Sequence, residues 1–303
     1  MTDSETSGTG LEDYFLEVRQ GDVFELSTAI DSTNTDKVAI ISQTCDIVLA
    51  KRPTVIVAAV CTLGETDAEV ARRRDNPRYV EIGEHGFVDL CHITSVEKSA
   101  LIASNREHAI DQSDDASVRV FALAIGRWFS RFAVPDAVVP WLRPLQSAVR
   151  SKYDKPTSPL GQVLRRVAEI RIQADNWTER PLELQLHVIV LAGEVPTFED
   201  PPELANEVGQ KLRTPEGAVR SPHDIAEVIL ADLSPAANYY AWGSLVESLA
   251  ALCKPPKSLK DPDVTSAVNA ITGQLWADDE FPLSRIRKSE LLDLDYLSGP
   301  TPL

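Results

Sequence analysis

Cys45 and Asp46 place a thiol beside a carboxylate at the end of a polar island, Ser42-Gln43-Thr44-Cys45-Asp46, inserted between two apolar, β-branched runs. Three kinds of chemistry fit these residue types. Cys45 could be a nucleophile with His92 or His85 as its base. An adjacent carboxylate opposes thiolate formation, however, unless the two side chains face apart. Alternatively, Ser42, Gln43, Thr44 and Asp46 could line a small recognition site for a nucleotide, a peptide terminus or a cationic side chain. In the third reading the island is structural: Thr44 and Asp46 hydrogen-bond a turn, and Cys45 packs as a small hydrophobe.

A second group of candidates is cationic. Arg72-Arg73-Arg74 and Arg78 form a short basic cluster in an acidic field, suited either to a phosphate or carboxylate contact or to a solvated face. The formal net charge is −16. Residues 1–104 carry 9 basic and 18 acidic side chains and the remainder 21 and 28. Neither part is basic, which argues against an extended grip on DNA or RNA, because phosphate binding needs clustered Lys and Arg. Cys45, Cys61, Cys91 and Cys253 have no metal-type spacing, so neither a zinc site nor any other metal or cofactor is expected. Cys61 and Cys91 lie in apolar strand-like contexts and are expected to be buried and inert. His187, inside a β-branched run, reads as a core histidine. His108 and His223 have no evident partner, and Asp293 and Asp295 alternate with leucines in an acidic terminal segment. Walker, GxGxxG, GxSxG and HExxH motifs are missing.

The elements that must position these residues follow from periodicity. Residues 1–13 read as a disordered leader with none of the features of a targeting peptide, which makes the cytosol the expected compartment. Strands are expected at 21–26, 37–42, 54–62, 78–82 and 87–93. The runs at 37–42 and 54–62 are too uniformly apolar to have a wet face and belong inside a closed or covered sheet. Short helices are expected at 66–74 and 97–103. From Ser117 the period becomes helical: Val118, Phe121, Ile125, Trp128, Phe129 and Phe132 share one face, with Ser113 or Asp114 as cap. A second helix follows at 141–153, then a polar connector at 152–159. The rest reads as a helix at 159–167, two antiparallel strands at 168–175 and 183–192, and helices at 201–213, 222–233, 239–253 and 262–276. The fold class is α+β, with a compact domain at 15–104 and a larger, helix-rich α+β domain at 115–303.

The strings GDVFEL, KVAIIS, PTVIVAAVCTL and GFVDLCHITSVEKSAL, in that order and separated by turn-rich loops, resemble the PemK/MazF toxin barrel over residues 20–104. The resemblance implies an SH3-like barrel and, for the toxin family, a metal-independent, sequence-specific endoribonuclease acting on single-stranded RNA. Thr62 falls at the family's catalytic threonine. The catalytic arginine position falls at Lys37, with Val38 in place of the family's proline. A lysine keeps the charge but loses the planar fork that engages phosphate. In the family the island region is a variable linker. The expected function is therefore a non-catalytic interaction module built on a toxin-like barrel, in a bacterial stress, toxin–antitoxin or phage-defence setting. Its expected partner is a protein encoded in the same operon; RNA binding and homodimerisation stay open, and a membrane is not expected. The alternatives are an endoribonuclease using Lys37 and Thr62 and a thiol enzyme using Cys45.

Overall fold

The computed structural model describes residues 13–292 except 31–34, 73–76, 103, 131–133, 154, 201 and 232. The expected leader and the segment holding Asp293 and Asp295 lie outside the described residues. The described residues divide into two units, the first up to residue 130 and the second from 134 to 292. Among the described residues no helix is long and apolar enough to cross a membrane.

The first unit is a six-stranded antiparallel sheet with short helices. In chain order it comprises β1 (Asp22–Ile30), β2 (Thr35–Ile40), α1 (Thr44–Ile47), β3 (Thr54–Cys61), α2 (Glu65–Arg72), β4 (Tyr79–Glu81), β5 (Phe87–Glu97), α3 (Lys98–Ile102), β6 (Asn105–His108) and α4 (Asp115–Ser130). The strand order is β4-β5-β3-β2-β1-β6, so the sheet is open where the resemblance implies a closed barrel. The uniformly apolar runs have a direct cause: both faces of the central strands are covered. Ala39, Ile41, Ala58 and Val60 pack on one face with Phe121 and Ile125 of α4. Val38, Ile40, Val55 and Val57 pack on the other with Phe15, Ile47 and Leu101. Asp114 caps α4, accepting from the Ala116 N–H at 3.2 Å.

The helix α4 moves the expected boundary. Its aromatic stripe supplies core to the N-terminal sheet, so the first unit extends past residue 104, and the second does not begin at 115. Strand β6, pairing Asn105–His108 with β1, lies beyond residue 104 as well. Phe129 does not join that core and is 63% exposed, while Phe132 falls outside the described residues.

The second unit contains α5 (Val139–Tyr153), α6 (Pro159–Leu164), β7 (Val167–Ala174), β8 (Leu182–Val190), α7 (Asn206–Leu212), α8 (Pro222–Leu230), α9 (Pro235–Leu252), α10 (Pro262–Thr265), β9 (Val268–Ala277), α11 (Leu283–Ile286) and β10 (Ser289–Leu291). Four helices start with one device, a capping side chain followed by proline. Ser158, Ser221, Ser234 and Asp261 each accept a hydrogen bond from a first-turn N–H, and the next residue is the proline that needs no partner. The sheet order is β10-β7-β8-β9, with β7 and β8 antiparallel as expected and β8 and β9 parallel. Strand β9 replaces most of the helix expected at 262–276. Gly273 lets β9 lie against α9, where an added Cβ would meet the Val246 carbonyl oxygen at 2.7 Å. One face of this sheet buries Ile170, Ile172, Leu184, Leu186 and Val188 against Trp242, Leu245 and Leu249 of α9.

Two consequences are measurable. A fragment of residues 1–131 should unfold cooperatively in urea, whereas residues 1–104 should show no cooperative transition, lacking both β6 and α4. In the intact chain Phe121→Ala should destabilise the first unit by about 3–5 kcal/mol through the cavity it leaves, read as a lower unfolding midpoint.

Candidate functional site

The most organised polar cluster of the first unit grows from an irregularity between β3 and β5. Ala58 pairs with Ile93 but Ala59 pairs with Asp89, so Leu90, Cys91 and His92 loop out of register. Bulges of this kind re-aim side chains. Leu90 stays in the core, Cys91 is exposed, and His92 is half-buried. Asp89 holds the distortion together. Its side chain is 8% exposed and receives Arg78 in a two-pronged contact, Nε to Oδ1 and Nη2 to Oδ2, both at 2.7 Å. The Cys91 N–H donates to Oδ1 at 3.0 Å, and His92 Nδ1 lies 2.9 Å from Oδ2.

Burial alone would raise the Asp89 pKa, but the bonds from Arg78, Cys91 and His92 outweigh it and hold the carboxyl at about 2. The ionised carboxylate is a pure acceptor, so His92 Nδ1 is the donor in this bond. An Asp–His pair bonded in this way is the orienting half of a general-base device. The nearby Cys61 thiol supplies no nucleophile to complete it, since burial and then the Asp89 charge push its pKa up.

The island of Ser42–Asp46 is tied into the fold. Ser42 Oγ accepts from the Ile56 N–H at 2.8 Å, and Thr44 Oγ1 accepts from the Gln20 N–H at 3.2 Å. Asp46 pairs with Arg52 at 2.8 Å, and the exposed Cys45 thiol donates to Gln43 Oε1 at 3.6 Å. Thr44, Cys45 and Asp46 form α1, a single helical turn, rather than strand. The histidines weighed as bases for Cys45 are engaged elsewhere: His92 with Asp89, and His85 with Glu107 at 3.1 Å. Lys37 sits half-buried on β2 opposite Glu25, and Thr62 is exposed just past the end of β3.

The cationic cluster is neutralised where it is described. Arg72 pairs with Glu81 at 2.8 Å and lies over the Phe87 ring, and Arg78 is the partner of Asp89. Arg73 and Arg74 lie outside the described residues. Cys91 corrects the expectation of a buried thiol, because the bulge turns it outward. His108 has a partner after all, the buried Asp22 at 2.8 Å, and His223 lies 3.5 Å from Glu227.

In the second unit His187 is fully buried, as expected of a core histidine. The sequence offers no sign of its two neighbours. The Trp276 indole N–H donates to His187 Nδ1 at 3.1 Å, so Nε2 carries the proton and donates to Gln173 Oε1 at 3.2 Å. Burial first, then the charges of Arg285 and Arg171, lower its pKa to about 4.

Asp89→Asn should cost about 3 kcal/mol, the lower end for a broken buried pair because Arg78 keeps part of its hydration. The check is the urea midpoint of the first unit. The two titrations also separate in pH. His187 is neutral when folded and ionises near 6.5 when unfolded, so it contributes stability above pH 6.5 that is lost as pH falls from 6.5 towards 4. The loss is about 3 kcal/mol. Asp89 contributes stability above its ordinary value near 3.8, lost as pH falls towards 2. Stability measured against pH should therefore fall in the second unit first, and in His187→Gln the step between pH 6.5 and 4 should vanish.

Compared with models of protein families, with curated proteins and with solved structures, the chain finds no match in any of the three.

Proposed function

We propose that the first unit is a non-catalytic recognition module for a protein partner. The bacterial stress, toxin–antitoxin or phage-defence setting comes from the resemblance of residues 20–104 to PemK/MazF barrels. One observation carries the preference for protein over RNA: five arginines described in this unit already face a carboxylate. Arg52, Arg72, Arg78, Arg106 and Arg119 lie 2.8, 2.8, 2.7, 3.6 and 2.7 Å from Asp46, Glu81, Asp89, Glu17 and Asp115. A carboxylate beside the cation offsets its attraction for phosphate, which lowers the electrostatic gain on which RNA affinity depends. The internal bonds of Ser42, Thr44 and Asp46 support a structural island in the same way.

A second reading rests on the Asp89–His92 pair. With Nδ1 held by Asp89, His92 in its neutral form would offer Nε2 to deprotonate a 2′-hydroxyl in a weak ribonuclease reaction, with Lys37 and Thr62 at the positions of the family's catalytic pair.

Purified full chain incubated with mixed single-stranded RNA separates the two. Wild type, Thr62→Ala, Lys37→Ala and His92→Ala should all give the same background, and a protein encoded beside this chain should co-purify in fixed stoichiometry. Cleavage that disappears in Thr62→Ala or His92→Ala would overturn the non-catalytic reading, as would failure to recover any partner from the native host.

A further inference from the structure

The second unit holds a cavity that the reading of the first unit does not use. It occupies about 310 Å³ on the face of the β7–β8–β9 sheet opposite the apolar core. It is half open to solvent and of the size of the smaller small-molecule sites, which suits a ligand no larger than a sugar phosphate. Gln173 and Gln185 line it from the sheet, with Asp175 just past the end of β7, and Ser284, Arg285 and Lys288 line it from the segment around α11.

Both glutamines have a fixed orientation. Gln173 is 7% exposed, and its Oε1 is taken by the His187 Nε2–H, which is itself set by the Trp276 indole. Its amide N–H groups are therefore the part offered to the cavity. Gln185 repeats the pattern, since its Oε1 accepts from Arg285 Nη1 at 3.1 Å.

The α11 side is anchored too. Arg285 stacks over the Trp276 ring, 5.0 Å from its centroid. The segment carrying it is clamped to β7 by Arg171, whose guanidinium donates to Ser289 Oγ at 2.8 Å, to the Ser289 carbonyl at 2.8 Å and to the Ile286 carbonyl at 3.2 Å. Lys288 has no ion-pair partner among the described residues. The lining thus presents donors from two amides, a hydroxyl, a guanidinium and an ammonium, against a single carboxylate. A set so biased towards donors matches a ligand rich in anionic oxygens, and three terminal oxygens suit it better than the two of a carboxylate.

We propose that this cavity binds a small phosphorylated molecule of sugar-phosphate size, with Arg285 and Lys288 on the phosphate and Asp175 accepting from a hydroxyl. The site is independent of the partner proposed for the first unit.

Calorimetric titration of the full chain tests it, with ribose 5-phosphate, neutral ribose and gluconate as probes. Ribose 5-phosphate should bind saturably at one site, ribose should not, and gluconate should bind more weakly. Lys288→Gln is the decisive variant, because this exposed side chain can change without disturbing the fold, and its unfolding temperature should match wild type. It should weaken ribose 5-phosphate binding by about tenfold or more, the size expected for a lost charge-assisted contact. Arg285→Gln should weaken it as well. Absence of saturable binding, undiminished binding in Lys288→Gln, or tighter binding of gluconate than of ribose 5-phosphate would each overturn the proposal.

Discussion

A β-sheet has two faces, and what covers the second one governs both units of this protein. In the first unit the central strands are apolar on both sides, so the chain must supply two coverings. One is α4, with Phe121 and Ile125, and the other is built from Phe15, Ile47 and Leu101. With both faces dry, polar groups survive only at the margins or where hydrogen bonds fully satisfy them. The Ser42–Asp46 turn satisfies this condition at a margin. So does Asp89, whose two carboxylate oxygens accept bonds from Arg78, Cys91 and His92.

The second unit solves the same problem with polar side chains. Its sheet buries leucine, isoleucine and valine against helices on one face and arrays Arg171, Gln173, Gln185 and His187 on the other. Charge and hydrogen bonding attach the covering segment there. Arg171 reaches across to the Ile286 and Ser289 carbonyls, and the Trp276–His187–Gln173 chain fixes a row of donors. A face held together in this way retains polar space, whereas an apolar face closes by packing to crystal-like density.

Much of the fold could be read in the sequence because it is written in local periodicity. The runs at 37–42 and 54–62, the stripe from Val118 to Phe129, the antiparallel pair near 168–192 and the serine–proline helix starts all carry their cause within a few residues. Strand β9 shows where this stops. Val264, Val268, Ile271 and Leu275 fall at helical spacing, and the segment becomes a strand only because β8 offers a parallel partner and Gly273 admits the backbone of α9. The aromatic stripe likewise announced a buried helix face but carried no information about which sheet would bury it.

The candidate sites divide along the same line. Residue types and spacing by themselves determined that Ser42–Asp46 interrupts a buried sheet, that His187 belongs to a core, that the chain is strongly acidic, and that it is α+β. Tertiary structure alone decided which polar groups meet. Arg78 and Asp89 are 11 positions apart, Gln173 and His187 are 14, and His187 and Trp276 are 89. Hydrogen bonds and ion pairs act over about 3 Å, and residues distant in sequence reach that range only once strand register and loop closure have been set by the whole fold.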